Sequence, residues 1–255
     1  MNVQVQTLHP TAQPGSTVNR WKGFHRIAAI AAVLTLLTAV AEILITFLPG
    51  GYTTPSTVTE WFALLQANPF LGLRNLGLLN IVMTALGIPL MLALYAIHRK
   101  QRALPALAVI LSFVGTAVFF ATNRALPLLA LSEQFAAAAT TAESAALEAA
   151  GLAMLATGQS HTPGTFLAFF ISEIAGILMA VVMLRERRFP QAAGIAGLVG
   201  YVFLLAHEIF ASFVPSSHGA VLVIAMVGGL SNLAWYVLVA VRLFQPSYQK
   251  TETFA

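Results

Sequence analysis

Residues 70–102 read FLGLRNLGLLNIVMTALGIPLMLALYAIHRKQR. Taken as one helix, this stretch carries Arg74 near its start, continues as a long apolar body and ends in a basic cluster that begins at His98. Arg74 and Arg99 are 25 residues apart, which is about 37 Å of α-helix, slightly more than the roughly 30 Å hydrocarbon core of a bilayer. The stretch therefore predicts a membrane-spanning helix with its basic cluster in water on one side.

The composition excludes an ordinary soluble domain. Of the 255 residues, 58% are hydrophobic and only 9% are charged, whereas soluble domains are about 25% charged. The net charge of +4 does not indicate nucleic-acid binding, because the basic residues lie between apolar runs and not on one soluble face. The absence of cysteine and aspartate excludes disulfides, thiol nucleophiles and every motif that depends on aspartate.

Apolar runs predict an all-α transmembrane bundle of six helices. A membrane domain at 26–244 is flanked by polar tails at 1–25 and 245–255, and residues 52–69 are predicted to form a polar loop. The predicted spans are 27–48, the run within 70–102, 105–131, 163–184, 190–214 and 219–244.

One short amphipathic helix is predicted outside the bilayer, over residues 141–157. Thr140 and Glu143 have the spacing of a capping box, and Gly158 is typical of a helix stop. Such a helix suits the membrane surface or the end of the bundle. The alternative is a solvated, alanine-rich loop helix.

The distribution of basic residues predicts the orientation. Six spans place both termini on one side, and only Arg74 and Arg124 of the 13 lysines and arginines then fall on the other side. Because cytoplasmic loops are enriched in lysine and arginine, both termini are expected in the cytoplasm. The protein is therefore expected to be a multi-pass protein of a bacterial inner membrane, with the lipid bilayer as its surroundings.

Polar side chains within or beside the spans form the candidate site. Glu173 lies 12 residues before Arg185, about 18 Å along a helix and so near mid-membrane, where an unpaired charge is costly. We expect Glu173 to face the bundle interior and to share a polar network with Arg74 or Arg124. The full set of candidates is Glu42, Arg74, Arg124, Glu173, His207, Glu208 and Asn232.

Three interpretations of this set remain open. The polar residues are structural ion pairs that hold the helices in register, or they line an outward-facing pocket for a small ligand, an ion or protons. A metal site built from the glutamates and His207 is the third, although no H-E-x-x-H or E-x-x-H spacing is present. His161 and His218 are interpreted as solvated loop residues.

The sequence carries neither a G-x-S-x-G nucleophile motif nor a phosphate-binding G-x-x-x-x-G-K-[ST] loop. The leading hypothesis is a non-catalytic membrane protein that binds a small ligand or ion in an outward-facing pocket, as a transporter or sensor does, without a cofactor or bound metal. The alternatives are a membrane-embedded enzyme, with or without a metal, that acts on a lipid-like substrate, and a structural or accessory subunit.

Three stretches carry a resemblance to a known family. They are F-L-G-L-R followed by L-A-L-Y-A-I-H-R-K within 68–100, residues 126–184 with M-L-R at 183–185, and F-P-Q-A-A-G-I-A-G at 189–197. Together they make the chain similar to a family of uncharacterised bacterial integral membrane proteins, defined only as a domain of unknown function. The resemblance implies about six spans and no particular activity.

Overall fold

A computed structural model describes residues 14–48, 55–101, 103–159, 161–214 and 218–245. These residues form ten α-helices and one short 3₁₀ turn, without a strand, which confirms the all-α prediction. In chain order the helices are α1 Pro14–Phe47, α2 Val58–Ala67, α3 Pro69–Asn75, α4 Leu78–His98, α5 Ala103–Thr122, α6 Ala125–Ala137, α7 Thr141–Gly158, α8 Pro163–Glu186, α9 Gln191–Phe213 and α10 His218–Phe244.

Six segments of the described chain are long and apolar enough to cross a membrane, as predicted. Helix α1 begins at Pro14, inside the predicted N-terminal tail, whereas residues 1–13 and 246–255 of the two tails lie outside the described residues. The candidate spans are Gly23–Thr46, Leu78–Gln101, Ala103–Ala137, Gly164–Glu186, Gln191–Phe213 and Val221–Phe244.

The spanning helices close into a ring, which we call the helix ring. Helix α1 packs against α4, then α5, α8, α9 and α10 follow in turn, and α10 returns to α1. At one end, His98 Nδ1 lies 2.6 Å from Glu186 Oε2 and joins the last turns of α4 and α8. We call this the basic end, because it carries Arg99, Lys100, Arg185, Arg187, Arg188 and Arg242.

Apolar side chains fill the half of the helix ring nearest the basic end. Leu94, Met179, Met183 and Leu243 are at most 2% exposed and belong to one continuous buried cluster. This packed half leaves little room for polar groups, so a site inside the helix ring must lie nearer the opposite end.

Four helices cover that opposite end and form what we call the cap, α2, α3, α6 and α7. They pack around a second buried cluster that contains Trp61, Phe62, Leu128 and Leu155. Helix α7 confirms that a helix forms over the predicted range 141–157. Its start is capped as expected, since the Glu143 amide donates to the Thr140 hydroxyl at 3.2 Å.

The prediction of one helix across 70–102 is wrong. The chain ends α3 at Asn75 and starts α4 at Leu78, with Gly77 between them at a φ of +87°. A left-handed residue cannot continue an α-helix, and glycine adopts it without the strain of a side chain. Arg74 therefore belongs to the cap and not to the span that follows it.

Asn123 bridges two breaks in the chain. Its Nδ2 donates to the Leu76 carbonyl at 2.8 Å, next to the break between α3 and α4. Its Oδ1 accepts from the Ala125 amide at 3.0 Å, where α5 gives way to α6. The predicted third span, 105–131, is therefore interrupted by this side chain, although the apolar segment continues.

The loop predicted at 52–69 is also wrong, because α2 occupies most of it. Thr57 and Glu60 form a capping box at its start. Hydrogen bonds from the Ser56 amide, the Ser56 hydroxyl and the Thr57 amide lower the pKa of the exposed Glu60 carboxylate. Its contribution to stability is therefore present above the unfolded pKa, near 4.5, and is lost as the pH falls through the lowered folded pKa.

Thr57→Ala is expected to destabilise α2 by about 1 kcal/mol, since the Glu60 amide loses the side-chain oxygen that caps it. Denaturant unfolding of the purified protein in detergent measures this cost. Thr141→Ala is the control, because Thr141 is exposed and caps nothing. Equal stability of the two variants would contradict the capping role.

Candidate functional site

A cavity of about 490 Å³ lies inside the helix ring, and all six spanning helices line it. It extends from Glu42, Asn80 and His161 near the cap to Leu90 and Trp235 near the middle of the helices. Its size is within the range of small-molecule sites, roughly 300–1,000 Å³. The packed apolar cluster separates it from the basic end.

Five of the seven predicted site residues line this cavity, and two do not. Those that line it come from α1, α8, α9 and α10 and are Glu42, Glu173, His207, Glu208 and Asn232. The two arginines, Arg74 and Arg124, are engaged in the cap and at its junction with the helix ring.

The buried Arg74 guanidinium holds α3 against α1. Its Nε donates to Glu42 Oε2 at 3.0 Å, and its Nη2 lies 2.8 Å from Glu42 Oε1. Further donations go to the Glu42 carbonyl at 3.0 Å, to the Thr46 hydroxyl and to Asn75 Oδ1 at 2.9 Å. For Glu42 and Arg74, the geometry fits the interpretation that the polar residues are structural ion pairs.

Arg124 closes the end of α5. Its Nη1 donates to the backbone oxygens of Ala121 at 2.7 Å and Asn123 at 3.2 Å. Its stem lies so close to Gly158 of α7 that a Cβ there would be 2.9 Å from it. A cation that binds terminal carbonyls stabilises a helix C-terminus. Because its stem also packs against Gly158, Arg124 connects the helix ring to the cap.

Glu173 faces the interior as expected, but the predicted arginine network is wrong. Its Oε2 is buried without a hydrogen-bond partner in the described part of the chain. Neither Arg74 nor Arg124 forms a hydrogen bond or ion pair with it in the described part of the chain. The arginines do not reach it because Glu42 and backbone carbonyls already bind them.

Two histidines and Glu208 meet where the cavity approaches the cap. His161 Nδ1 lies 3.4 Å from Glu208 Oε2, and the His161 and His207 rings are 5.6 Å apart. His207 Nδ1 donates to the Val221 carbonyl at 3.3 Å. The interpretation of His161 as a plain loop residue is therefore incomplete, because its left-handed backbone, φ +62°, turns it onto the cavity.

Aromatic side chains that the sequence did not identify line the cavity beside Glu173. The Trp235 ring lies 5.3 Å from the Tyr201 ring and 4.9 Å from the Tyr236 ring. Gly176, one turn from Glu173, gives Tyr201 its place, since a Cβ there would be 2.4 Å from that ring. Gly197 does the same for Trp235. The small residues therefore seat aromatic groups in addition to bringing the helices close together.

Four buried polar atoms of cavity-lining residues have no hydrogen-bond partner within the described residues. All belong to α8, α9 or α10. Buried polar atoms in proteins are nearly always hydrogen-bonded, so this wall is suited to a partner that enters the cavity. The atoms are Glu173 Oε2, Glu208 Oε1, Asn232 Oδ1 and Trp235 Nε1.

The described residues include no group of three or more histidine or acidic side chains arranged to hold a metal ion. The glutamates considered as metal ligands from the sequence have separate partners, because Glu42 is bound to Arg74 while Glu208 contacts His161. The metal-site interpretation therefore gains no support from the geometry.

A family model for a domain of unknown function, DUF4386, matches residues 29–241. The chain belongs to this family. The DUF4386 region extends from α1 to α10 and contains every residue that lines the cavity. The resemblance read from the sequence is thereby confirmed. Comparison with curated proteins and with solved structures gave no match.

The acidic residues of the DUF4386 site differ in how their charge is compensated. Glu42 is neutralised by Arg74, whereas Glu173 and Glu208 face histidines, tyrosines and an asparagine. Neither lysine nor arginine is among the described residues that line the cavity. The site is therefore suited to noncovalent binding of a partner that donates hydrogen bonds.

Proposed function

We propose that this DUF4386 chain is a non-catalytic membrane protein that binds a small ligand or ion in the central cavity, as a transporter or sensor does. The observation that carries the proposal is the set of unpartnered buried polar atoms that belong to cavity-lining residues. A purely structural core would satisfy such atoms within the protein. The nearby Glu42–Arg74 pair does so, and the wall of α8 to α10 does not.

We further propose that the cavity receives its ligand from the extracytoplasmic side. The distribution of basic residues supports a cytoplasmic basic end. The lining residues lie mainly in the halves of the helices nearest the cap, and buried apolar side chains fill the other half. Access from the cap is therefore the shorter route to the polar wall.

Cysteine labelling tests this proposal without background, because the chain has no cysteine. Met83 lines the cavity from α4, while its neighbour Val82 is 40% exposed on the outer surface of the helix ring. In intact spheroplasts a charged, membrane-impermeant methanethiosulfonate is expected to modify Met83→Cys but not Val82→Cys. The Val82 site faces lipid, which such a reagent does not enter.

Two further variants fix the orientation in the same experiment. Ser144→Cys, at the start of α7, is expected to react from outside, and Arg187→Cys, beyond α8, only after the membrane is opened. The proposal fails if Met83→Cys reacts no faster than Val82→Cys. It also fails if Met83→Cys is reached only from the side that exposes Arg187→Cys.

A further inference from the structure

We propose that the cavity ligand is an organic cation, a compact ammonium group attached to an apolar body. This inference rests on the proposed function and specifies the class of its ligand. Three independent features of the wall support it: the type of unpartnered atoms, the balance of charge and the aromatic side chains.

Three of the four unpartnered atoms are hydrogen-bond acceptors. They are Glu173 Oε2, Glu208 Oε1 and Asn232 Oδ1, and Glu208 is only 5% exposed. An ammonium group offers three donors and no acceptor. A carboxylate or phosphate ligand would instead bring further acceptors to a wall that already has a surplus of them.

The charge of the lining favours the same ligand. Its titratable groups are Glu42, His161, Glu173, Tyr201, His207, Glu208 and Tyr236. Arg74 compensates Glu42, and His161 contacts Glu208 only at 3.4 Å. Glu173 forms no ion pair within the described residues, and its Oε2 has no hydrogen-bond partner there. A bound cation would neutralise a carboxylate that is otherwise costly at this depth.

The aromatic wall distinguishes an organic cation from a bare metal ion. Tyr201, Trp235 and Tyr236 pack edge to face, and all three line the cavity. Aromatic rings attract cations through the negative face of the ring and provide apolar contact for a hydrocarbon body. The described residues offer no arrangement of three metal-ligating side chains to compete for the site.

Three probes of similar shape test the charge requirement. Isothermal titration of the purified full chain in detergent would compare phenethylammonium with neutral phenethyl alcohol and anionic phenylacetate. We expect phenethylammonium to bind at least about tenfold more tightly than the alcohol, because its hydrogen bonds to carboxylates are charge-assisted. We expect phenylacetate not to bind measurably.

A matched pair of variants identifies the carboxylate. Glu173→Gln keeps the size of the side chain and leaves no arginine unpaired, so the variant is expected to fold and to bind phenethylammonium at least about tenfold more weakly. Glu133→Gln removes an exposed carboxylate far from the cavity lining and is expected to bind like the wild type. Size-exclusion chromatography and thermal unfolding verify that both variants are folded.

The inference is overturned if phenethyl alcohol or phenylacetate binds as tightly as phenethylammonium, or if none of the three binds. It is overturned equally if Glu173→Gln retains the affinity of the wild type. If Glu173→Gln does not fold, the comparison of the three probes on the wild-type protein still tests the inference. Labelling of Met83→Cys does not depend on ligand charge, so it shows separately whether the cavity itself is open.

Discussion

Arg74→Gln is expected to lower the free energy of unfolding by roughly 3 kcal/mol, because it leaves the Glu42 carboxylate without its cation. The guanidinium side chain is 5% exposed and connects α3 to α1 through Glu42 and Thr46. Denaturant titration in detergent measures the loss. Arg124→Gln is the matched control and is expected to cost less than about 1 kcal/mol, since the Arg124 guanidinium donates only to backbone oxygens near the surface.

A double-mutant cycle tests the mechanism. Glu42→Gln alone leaves Arg74 buried beside a neutral group, whereas the double variant removes both charges. The double variant is therefore expected to lose at least about 1 kcal/mol less than the sum of the two single losses. Strict additivity would show that Arg74 stabilises the cap through packing and not through its ion pair.

Gly176→Ala is expected to destabilise the protein by about 2 kcal/mol through overpacking. The added Cβ would lie 2.4 to 2.5 Å from three atoms of the Tyr201 ring. That ring is 93% buried and packs against Trp235, so it has little space into which to move. Thermal unfolding should show the loss, and intrinsic fluorescence should report a disturbed Trp235.

The control is the same substitution where there is space. Gly229 also lines the cavity, and a Cβ there would have no atom within 4 Å. Gly229→Ala is expected to be neutral or stabilising by up to about 1 kcal/mol, because alanine favours a helix interior. Similar losses at both positions would indicate that helix flexibility, and not the seating of Tyr201, requires glycine.

The six spans could be predicted from the sequence because their signal is local. An apolar run of the right length must be a helix in lipid, since every backbone group has to be hydrogen-bonded within the segment. The breaks between α3 and α4 and between α5 and α6 were not predictable in the same way. Asn123 binds the Leu76 carbonyl, 47 residues earlier in the chain, and no local pattern encodes that contact.

The start of α2 was within reach of the sequence. Thr57-Val58-Thr59-Glu60 has the spacing of a capping box, the same signal that located α7. The surrounding polar residues favoured a loop, because a ten-residue helix is marginal on its own. Packing of Trp61 and Phe62 against α6 and α7 stabilises the helix, and that packing is tertiary.

The candidate residues could be found from their depth in the membrane, but the partner of each residue could not be predicted. Depth along a helix follows from residue counts, so the interior position of Glu173 could be derived. The partner of each group depends on which helices are neighbours around the helix ring. Arg74 turned toward α1 once Gly77 separated α3 from α4, and His161 joined the cavity through a left-handed backbone.

The apolar half of the helix ring lies between the proposed ligand cavity and the basic end. Arg185 follows Glu173 by 12 positions along α8, about 18 Å, and Met179 and Met183 in that stretch are at most 2% exposed. An ion forced through such a medium loses its hydration at a cost of several kcal/mol. Under the proposed function, transport to the basic end therefore requires the helices that form this buried cluster to move apart, whereas a sensor requires no such movement.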